Sequence, residues 1–219
     1  MQWKILFTGD VYIDRDVRGC FMAPDLAEYL SQHDLAVCNF EGAMPAAGAE
    51  PIEKVGPAMA HVAEAMTDVR RAGFDVVSLA NNHVYDFGDA GLKATLEACG
   101  SIVPVGAGLR WEDAYACRKV DLGDLTLGFL AFSEAQFGAL LEPCGRGGYA
   151  WIGHAGVETV VKQARKEVDV LFVQCHAGVE NIALPLPEWR EKYRQLITWG
   201  ADAVIAHHPH VPQGWETFE

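Results

Sequence analysis

Short apolar runs that stop abruptly at polar turns, separated by stretches of helical periodicity, constrain this chain more than any other feature. The runs KILFTG (4–9), LAVCNF (35–40), DVVSLA (75–80), IVPVG (102–106), DVLFVQCH (169–176) and DAVIAHH (202–208) have the length and composition of strands. Between them the apolar spacing predicts helices over Pro24–Gln32, Pro57–Ala72, Gly88–Cys99, Ala155–Lys166 and Pro187–Trp199. The segment ACRKVDLGDLTLGFLAFS (116–133) alternates around a Leu-Gly-Asp turn and reads as an antiparallel hairpin. Strands joined by crossover helices, with one hairpin added, make an α/β chain with a mixed sheet.

Two segments break the pattern. EGAMPAAGAEPIEKVGP (41–57) and EPCGRGGYAWIG (142–153) are rich in Gly, Pro and Ala and too long for ordinary connections, so surface loops walling a cleft are expected there. With 219 residues, half of them apolar and 21% charged, the chain suits one domain spanning 1–219. The formal net charge of −13 disfavours nucleic acid and anionic lipid, and makes cations the expected partners. The N-terminal apolar run is cut by Asp10, and no run approaches the roughly 18 residues of a membrane span. Cys20, Cys38, Cys99, Cys117, Cys144 and Cys175 lack CxxC spacing and mostly sit in apolar contexts, as reduced core residues of a cytoplasmic protein would.

The polar residues at the strand ends carry the chemistry. In open α/β sheets ligands bind outside the carboxyl ends of the strands. Here the first strand ends at Asp10, the second runs into Asn39 and Glu41, and the third into Asn81, Asn82, His83 and Asp86. A later strand ends at His176 with Glu180 nearby, and the last at His207, His208 and His210. Desolvating clustered imidazoles at the end of an apolar strand is costly without a partner, so the set points to a metal site. Extended geometry would project His208 and His210 to one side and turn His207 away. Carboxylate, amide and imidazole donors without a thiolate cluster suit manganese, iron or zinc in a catalytic rather than a structural site. A Cys175–His176 thiol pair is disfavoured, because strand neighbours face opposite sides.

The ordered set TGD, NFEG, SLANNHVYDFGDAG, CHAGVE and HHPHVPQ resembles the poly-γ-glutamate capsule biosynthesis (CapA-type) family, a branch of the calcineurin-like metallophosphoesterase superfamily. The resemblance runs from Asp10 to Gln213. It implies an α/β/β/α sandwich, two central mixed sheets flanked by helices, with a metal centre, of two ions, at the sheet edge. By position it makes Asp10, Glu41, Asn82, His176, His208 and His210 the metal ligands, and His83 with Asp86 the catalytic pair. Asn39, Asn81, Glu180 and His207 then support the ligands.

Departures from the pattern are Tyr12, where the superfamily commonly has a histidine, and Ala177, where the branch commonly has tryptophan. The chain also stops at Glu219, short of the usual further strands, and shows no N-terminal membrane anchor. The implied chemistry is hydrolysis of a phosphoester or of a γ-glutamyl amide by water activated between divalent ions. The expected partner is accordingly a small anionic substrate or a γ-glutamyl chain. The alternative is a non-catalytic assembly or polymer-binding subunit with a vestigial metal site.

Overall fold

The computed structural model describes residues 2–17 and 21–218; Cys20 and Glu219 lie outside them. The chain opens with β1 (Ile5–Val11), α1 (Pro24–Ser31), β2 (Leu35–Phe40), α2 (Ala65–Ala72), β3 (Val76–Ser78), α3 (Gly88–Cys99) and β4 (Val103–Val105). These strands form one parallel sheet in the order β1-β2-β3-β4. Next come β5 (Ala107–Gly108), α4 (Trp111–Ala114), β6 (Arg118–Leu122), β7 (Leu125–Ser133), β8 (Ala139–Leu140) and β9 (Gly148–Ala150). The last elements are α5 (Val157–Arg165), β10 (Val170–His176), α6 (Pro187–Thr198) and β11 (Ala203–His207).

The second sheet has the order β11-β10-β7-β6, in which β10 runs parallel to both neighbours and β6 returns antiparallel to β7. That hairpin turns at Gly123, whose φ of 66° only glycine adopts without strain, and a Cβ there would strike the Trp3 ring at 2.3 Å.

Strand parity explains the layers. Along β7, Leu127, Phe129 and Ala131 face the first sheet, while Leu130 and Phe132 join Val157, Val161 and Ala164 of α5. Along β10, Phe172 meets Phe7 of β1, with ring centroids 5.0 Å apart, while Leu171, Val173 and Cys175 face the helices together with Leu196 of α6. On the other side, Leu30 of α1, Met66 and Val69 of α2 and Leu92 of α3 pack on the first sheet. Two sheets face each other between helices, as the family resemblance implies, with Phe7, Phe129 and Phe172 packed between them.

Three expectations are corrected. Residues 57–64 are not helical: Ala60 bridges Ala43, and the Met59 N–H is bound by Asp86, so the helix begins only at Ala65. The 142–153 segment is not all loop, since β9 pairs with both β5 and β8 in a small third sheet. Cys144 is exposed, in contrast to buried Cys38, Cys99 and Cys175. Among the described residues no helix is long and apolar enough to cross a membrane.

One irregularity matters for the site. In β1 the register passes from Phe7 opposite Val37 to Asp10 opposite Asn39, so an extra residue bulges out around Thr8 and Gly9.

Candidate metal centre

The bulge sets Asp10 beside Asn39, whose amide donates to Asp10 Oδ1 at 2.8 Å and reaches His176 Nδ1 at 3.1 Å. Asn81, in the turn after β3, braces Asn39 by donating to its Oδ1 at 3.4 Å and to the Phe40 carbonyl at 2.9 Å. The Asn81 Oδ1 accepts the His83 N–H at 3.2 Å, which fixes the turn that carries Asn82 and His83. These amides make a buried frame whose members satisfy one another's hydrogen bonds.

Even-numbered side chains of β10 face the first sheet, so His176 enters the frame from the opposite sheet. Its Nε2 lies 2.9 Å from Asn82 Oδ1, 3.0 Å from His208 Nδ1 and 3.5 Å from Glu41 Oε1. His210 Nδ1 stands 3.0 Å from Asp10 Oδ2, and its Nε2 stands 4.0 Å from Glu41 Oε1. Glu41, His176 and His208 can present ligand atoms within 4.8 Å of one another; so can Asp10, Glu41 and His210, and so can Glu180, His208 and His210. All six candidate ligands thus come together, and Glu180 joins them.

Proton counting tests whether this set suits a cation. With Nδ1 of His176 accepting from Asn39, its one proton sits on Nε2, facing an amide oxygen, an imidazole nitrogen and a carboxylate oxygen at once. That one hydrogen cannot serve all three. Burial, reinforced by neighbouring imidazoles, holds His176 well below the usual histidine range, and burial lowers His208 against the pull of Glu134 and Glu180. Both therefore offer neutral nitrogens, the form that ligates metal. Glu41 is pushed up to about 8, first by burial and then by Asp10, Glu180 and Asp86, so without a cation it keeps its proton. A divalent ion would remove that crowding, and the donor set fits one.

The histidine cluster departs from extended geometry. Strand β11 ends at His207, and His208 and His210 take positive φ values of 94° and 55°. Within β11 Val204 packs toward the helices, so His207 shares the parity that faces the first sheet. It is buried opposite His176, with Nδ1 3.7 Å from Asp10 Oδ1, and does not turn away. The left-handed backbone that follows swings His208 onto His176, which strand alternation cannot do. Histidine tolerates this conformation better than most side chains do, at a cost of order 1–3 kcal/mol per residue.

Beside the cluster, His83 Nδ1 lies 2.8 Å from Asp86 Oδ2. The Asp86 side chain is fully buried, accepts the Met59 N–H at 2.8 Å and forms an ion pair with Lys54. It cannot reach a substrate, so it positions His83 instead of acting as the second catalytic group. Nε2 of His83 is the ring nitrogen that Asp86 does not engage.

Sequence reasoning missed three residues. Lys54 sits in the 41–57 loop, where no periodicity singles it out. Glu134 directly follows β7 and places Oε1 3.9 Å from His208 Nε2; the strand-end rule, applied to that strand, would have found it. His61 stacks on Phe40 at 3.7 Å between centroids and accepts the Ile13 N–H at 3.2 Å, and burial drives it down to about 3. Tyr12 leans on the His61 ring and donates to the Ala60 carbonyl at 3.3 Å, away from the ligand cluster. Cys175 faces the helices, and burial raises its thiol far above the usual range, which removes it as a nucleophile.

Facing sheets with a histidine and carboxylate cluster at their shared edge define a protein of the calcineurin-like metallophosphoesterase fold. Solved structures agree on the fold. A novel phosphatase from Mycoplasma pneumoniae superposes with a TM-score of 0.56 at 16% identity, covering 96% of this chain and 65% of that one. A hypothetical protein from Thermus thermophilus gives 0.57 at 20% identity, covering 95% and 69%.

The family described as bacterial capsule synthesis protein PGA_cap matches residues 4–219, and the chain belongs to it. The capsule biosynthesis protein CapA of Bacillus anthracis is 25% identical over 230 residues, covering 96% of this chain and 55% of the relative. The PGA biosynthesis protein CapA of Bacillus subtilis (strain 168) is 32% identical over 164 residues, covering 71% and 42%. The chain thus spans about half the length of these curated relatives.

Proposed function

We propose that the protein is a metal-dependent hydrolase that cleaves a phosphoester or a γ-glutamyl amide in the making or processing of poly-γ-glutamate. The observation that carries this reading is the convergence of Asp10, Glu41, Asn82, His176, His208 and His210 on one spot, buried at His176 and open at His210, beside a histidine oriented by its own carboxylate. Those six residues would hold one or two ions of manganese, zinc or iron. Bound there, the metal supplies a water of lowered pKa and a counter-charge for a tetrahedral transition state. The chain supplies the rest. Asn39 and Asn81 fix Asp10 and His176, Asp86 holds the Nδ1 proton of His83, and His83 in its imidazolium form gives up the second proton, on Nε2, to the departing oxygen or nitrogen.

The test is metal analysis followed by turnover. After reconstitution with Mn²⁺ or Zn²⁺ and desalting, the protein should retain metal and hydrolyse a chromogenic phosphodiester or a γ-glutamyl amide. Protein that retains no metal refutes the reading. Metal retained without turnover of either substrate supports the assembly-subunit alternative, in which the fold binds polymer without cutting it.

A further inference from the structure

One cavity of about 1250 Å³ extends from the metal-ligand cluster to helix α6, and its lining includes Asp10, His208, His210, Arg190, Arg194 and Glu216. Among the described residues Arg190 and Arg194 are the only lysine or arginine side chains lining it. They stand one turn apart on α6, so both project from the same face into the cleft. In a chain of net charge −13 such a cationic wall is the exception.

Both arginines are engaged by a single carboxylate. Arg190 Nε donates to Glu216 Oε2 at 2.8 Å, with its Nη2 on the same oxygen. Arg194 Nε donates to Oε1 at 2.8 Å and its Nη2 to Oε2 at 3.1 Å. Two guanidinium groups share one carboxylate here, with Glu191 a more distant influence on Arg194, and the planar fork fits planar oxyanions, of which the carboxylate it holds in this structure is the example. The other acid of this wall, Asp202, is committed to Arg165 and to the Leu171 N–H.

Glu216 belongs to segment 211–218, which has no strand or helix and runs across α6. It is held by side-chain contacts: the Glu216 fork, the Gln213 amide donating to the Ile182 carbonyl at 2.8 Å, and Phe218 beneath the Arg194 guanidinium. Trp215 between them is 90% exposed. A segment anchored so lightly can be displaced at low cost.

We propose that Arg190 and Arg194 form a carboxylate-binding subsite of the cleft, filled in this structure by the chain's own Glu216, so that segment 211–218 competes with an oligocarboxylate ligand. The proposal rests on the reading that this cleft takes an anionic substrate, and it adds where a carboxylate remote from the reacting bond is gripped and what holds that grip closed.

Binding of a short γ-linked glutamate oligomer, measured by titration calorimetry once with Mn²⁺ and once with EDTA, tests it. Glu216→Gln should tighten binding about fivefold in both conditions, the upper range for an exposed ion pair. Glu188→Gln, which removes the same charge elsewhere on α6, should leave it unchanged. Adding Arg194→Gln to Glu216→Gln should cancel the gain, with melting temperatures confirming that every variant is folded. The proposal is overturned if Glu216→Gln gains nothing, if Glu188→Gln gains as much, or if the gain survives Arg194→Gln. A gain confined to Mn²⁺ also overturns it, because no metal ligand belongs to the subsite. An equal gain for inorganic phosphate would remove the carboxylate assignment. Loss of turnover in the hydrolase assay would leave the EDTA result standing, so the two readings fail separately.

Discussion

Replacing Asp86 by Asn tests the buried charge pair that braces His83. The Asp86 side chain is fully buried and that of Lys54 is only 5% exposed, so the ammonium loses its counter-charge in a site nearly closed to water. The amide oxygen of Asn can still accept the Met59 N–H, but its NH2 then faces the Lys54 ammonium, so a donor–donor contact adds to the loss of charge. Removing one partner of a buried pair costs about 3–5 kcal/mol, and the small exposure of Lys54 argues for the lower end, about 3. At about 2–4 °C per kcal/mol for a chain of this size, Asp86→Asn should lower the melting temperature by about 6–12 °C. Melting and urea unfolding are followed by circular dichroism at neutral pH in EDTA, so that metal binding does not contribute. The double variant Lys54→Met/Asp86→Asn removes the stranded charge and should recover at least half of the loss. A shift under about 2 °C for the single variant, or a double variant as unstable as the single, would refute the assignment of the pair as a structural brace.

His208→Ala should abolish metal retention, whereas His83→Ala should retain metal and lose about 10²–10⁴-fold in turnover; atomic absorption beside a rate assay separates the two, and equal metal loss would contradict the role given to His83. His207→Gly should weaken metal affinity about 10–100-fold without abolishing it, since His207 stands beside Asp10 and opposite His176 and belongs to none of the donor groups that could share an ion; a competition titration with a chelator reads the change. Among the described cysteines, Cys144 should react first with a thiol reagent, while Cys38, Cys99 and Cys175 should wait for unfolding, with the order read by mass spectrometry.

Legibility from the sequence followed the length of each signal. Strands β2 and β10 are continuous apolar runs with polar stops, and the helices from Pro187 and from Gly88 to Cys99 have clear entry or exit residues, so their limits could be read closely. Residues 57–64 carry helix-like spacing, but long-range bonds to Ala43 and Asp86 decide their conformation, and no local pattern reports those partners. Strands β5, β8 and β9, two or three residues each, are too short for alternation to show. The cluster of candidate ligands was legible because each donor stands at or just past the carboxyl end of a strand. Lys54 and His61 were not, because loop residues acquire meaning only through what folds against them. His207 keeps the parity of β11, whereas the way His208 faces depends on its own positive φ of 94°, and histidine at positive φ has no sequence signature.

The bulge in β1 decides which side of its sheet the aspartate serves. Phe7 faces the second sheet, against Phe172, and strict alternation from there would set Asp10 level with Phe40 and turn it to the helical side. The extra residue resets the alternation, so Asp10 stands level with Asn39 on the face that Phe7 uses. What that residue is matters little, since a Cβ at Gly9 would meet nothing within 4 Å. How many residues lie there matters more, and the two directions of change are not equivalent. A strand shortened by one between Phe7 and Asp10 would pair regularly and still bring its carboxylate level with Asn39. A strand lengthened by one, keeping the same bulge, would send the carboxylate away from Asn39 and His210 and leave a folded protein whose candidate metal centre lacks its first carboxylate.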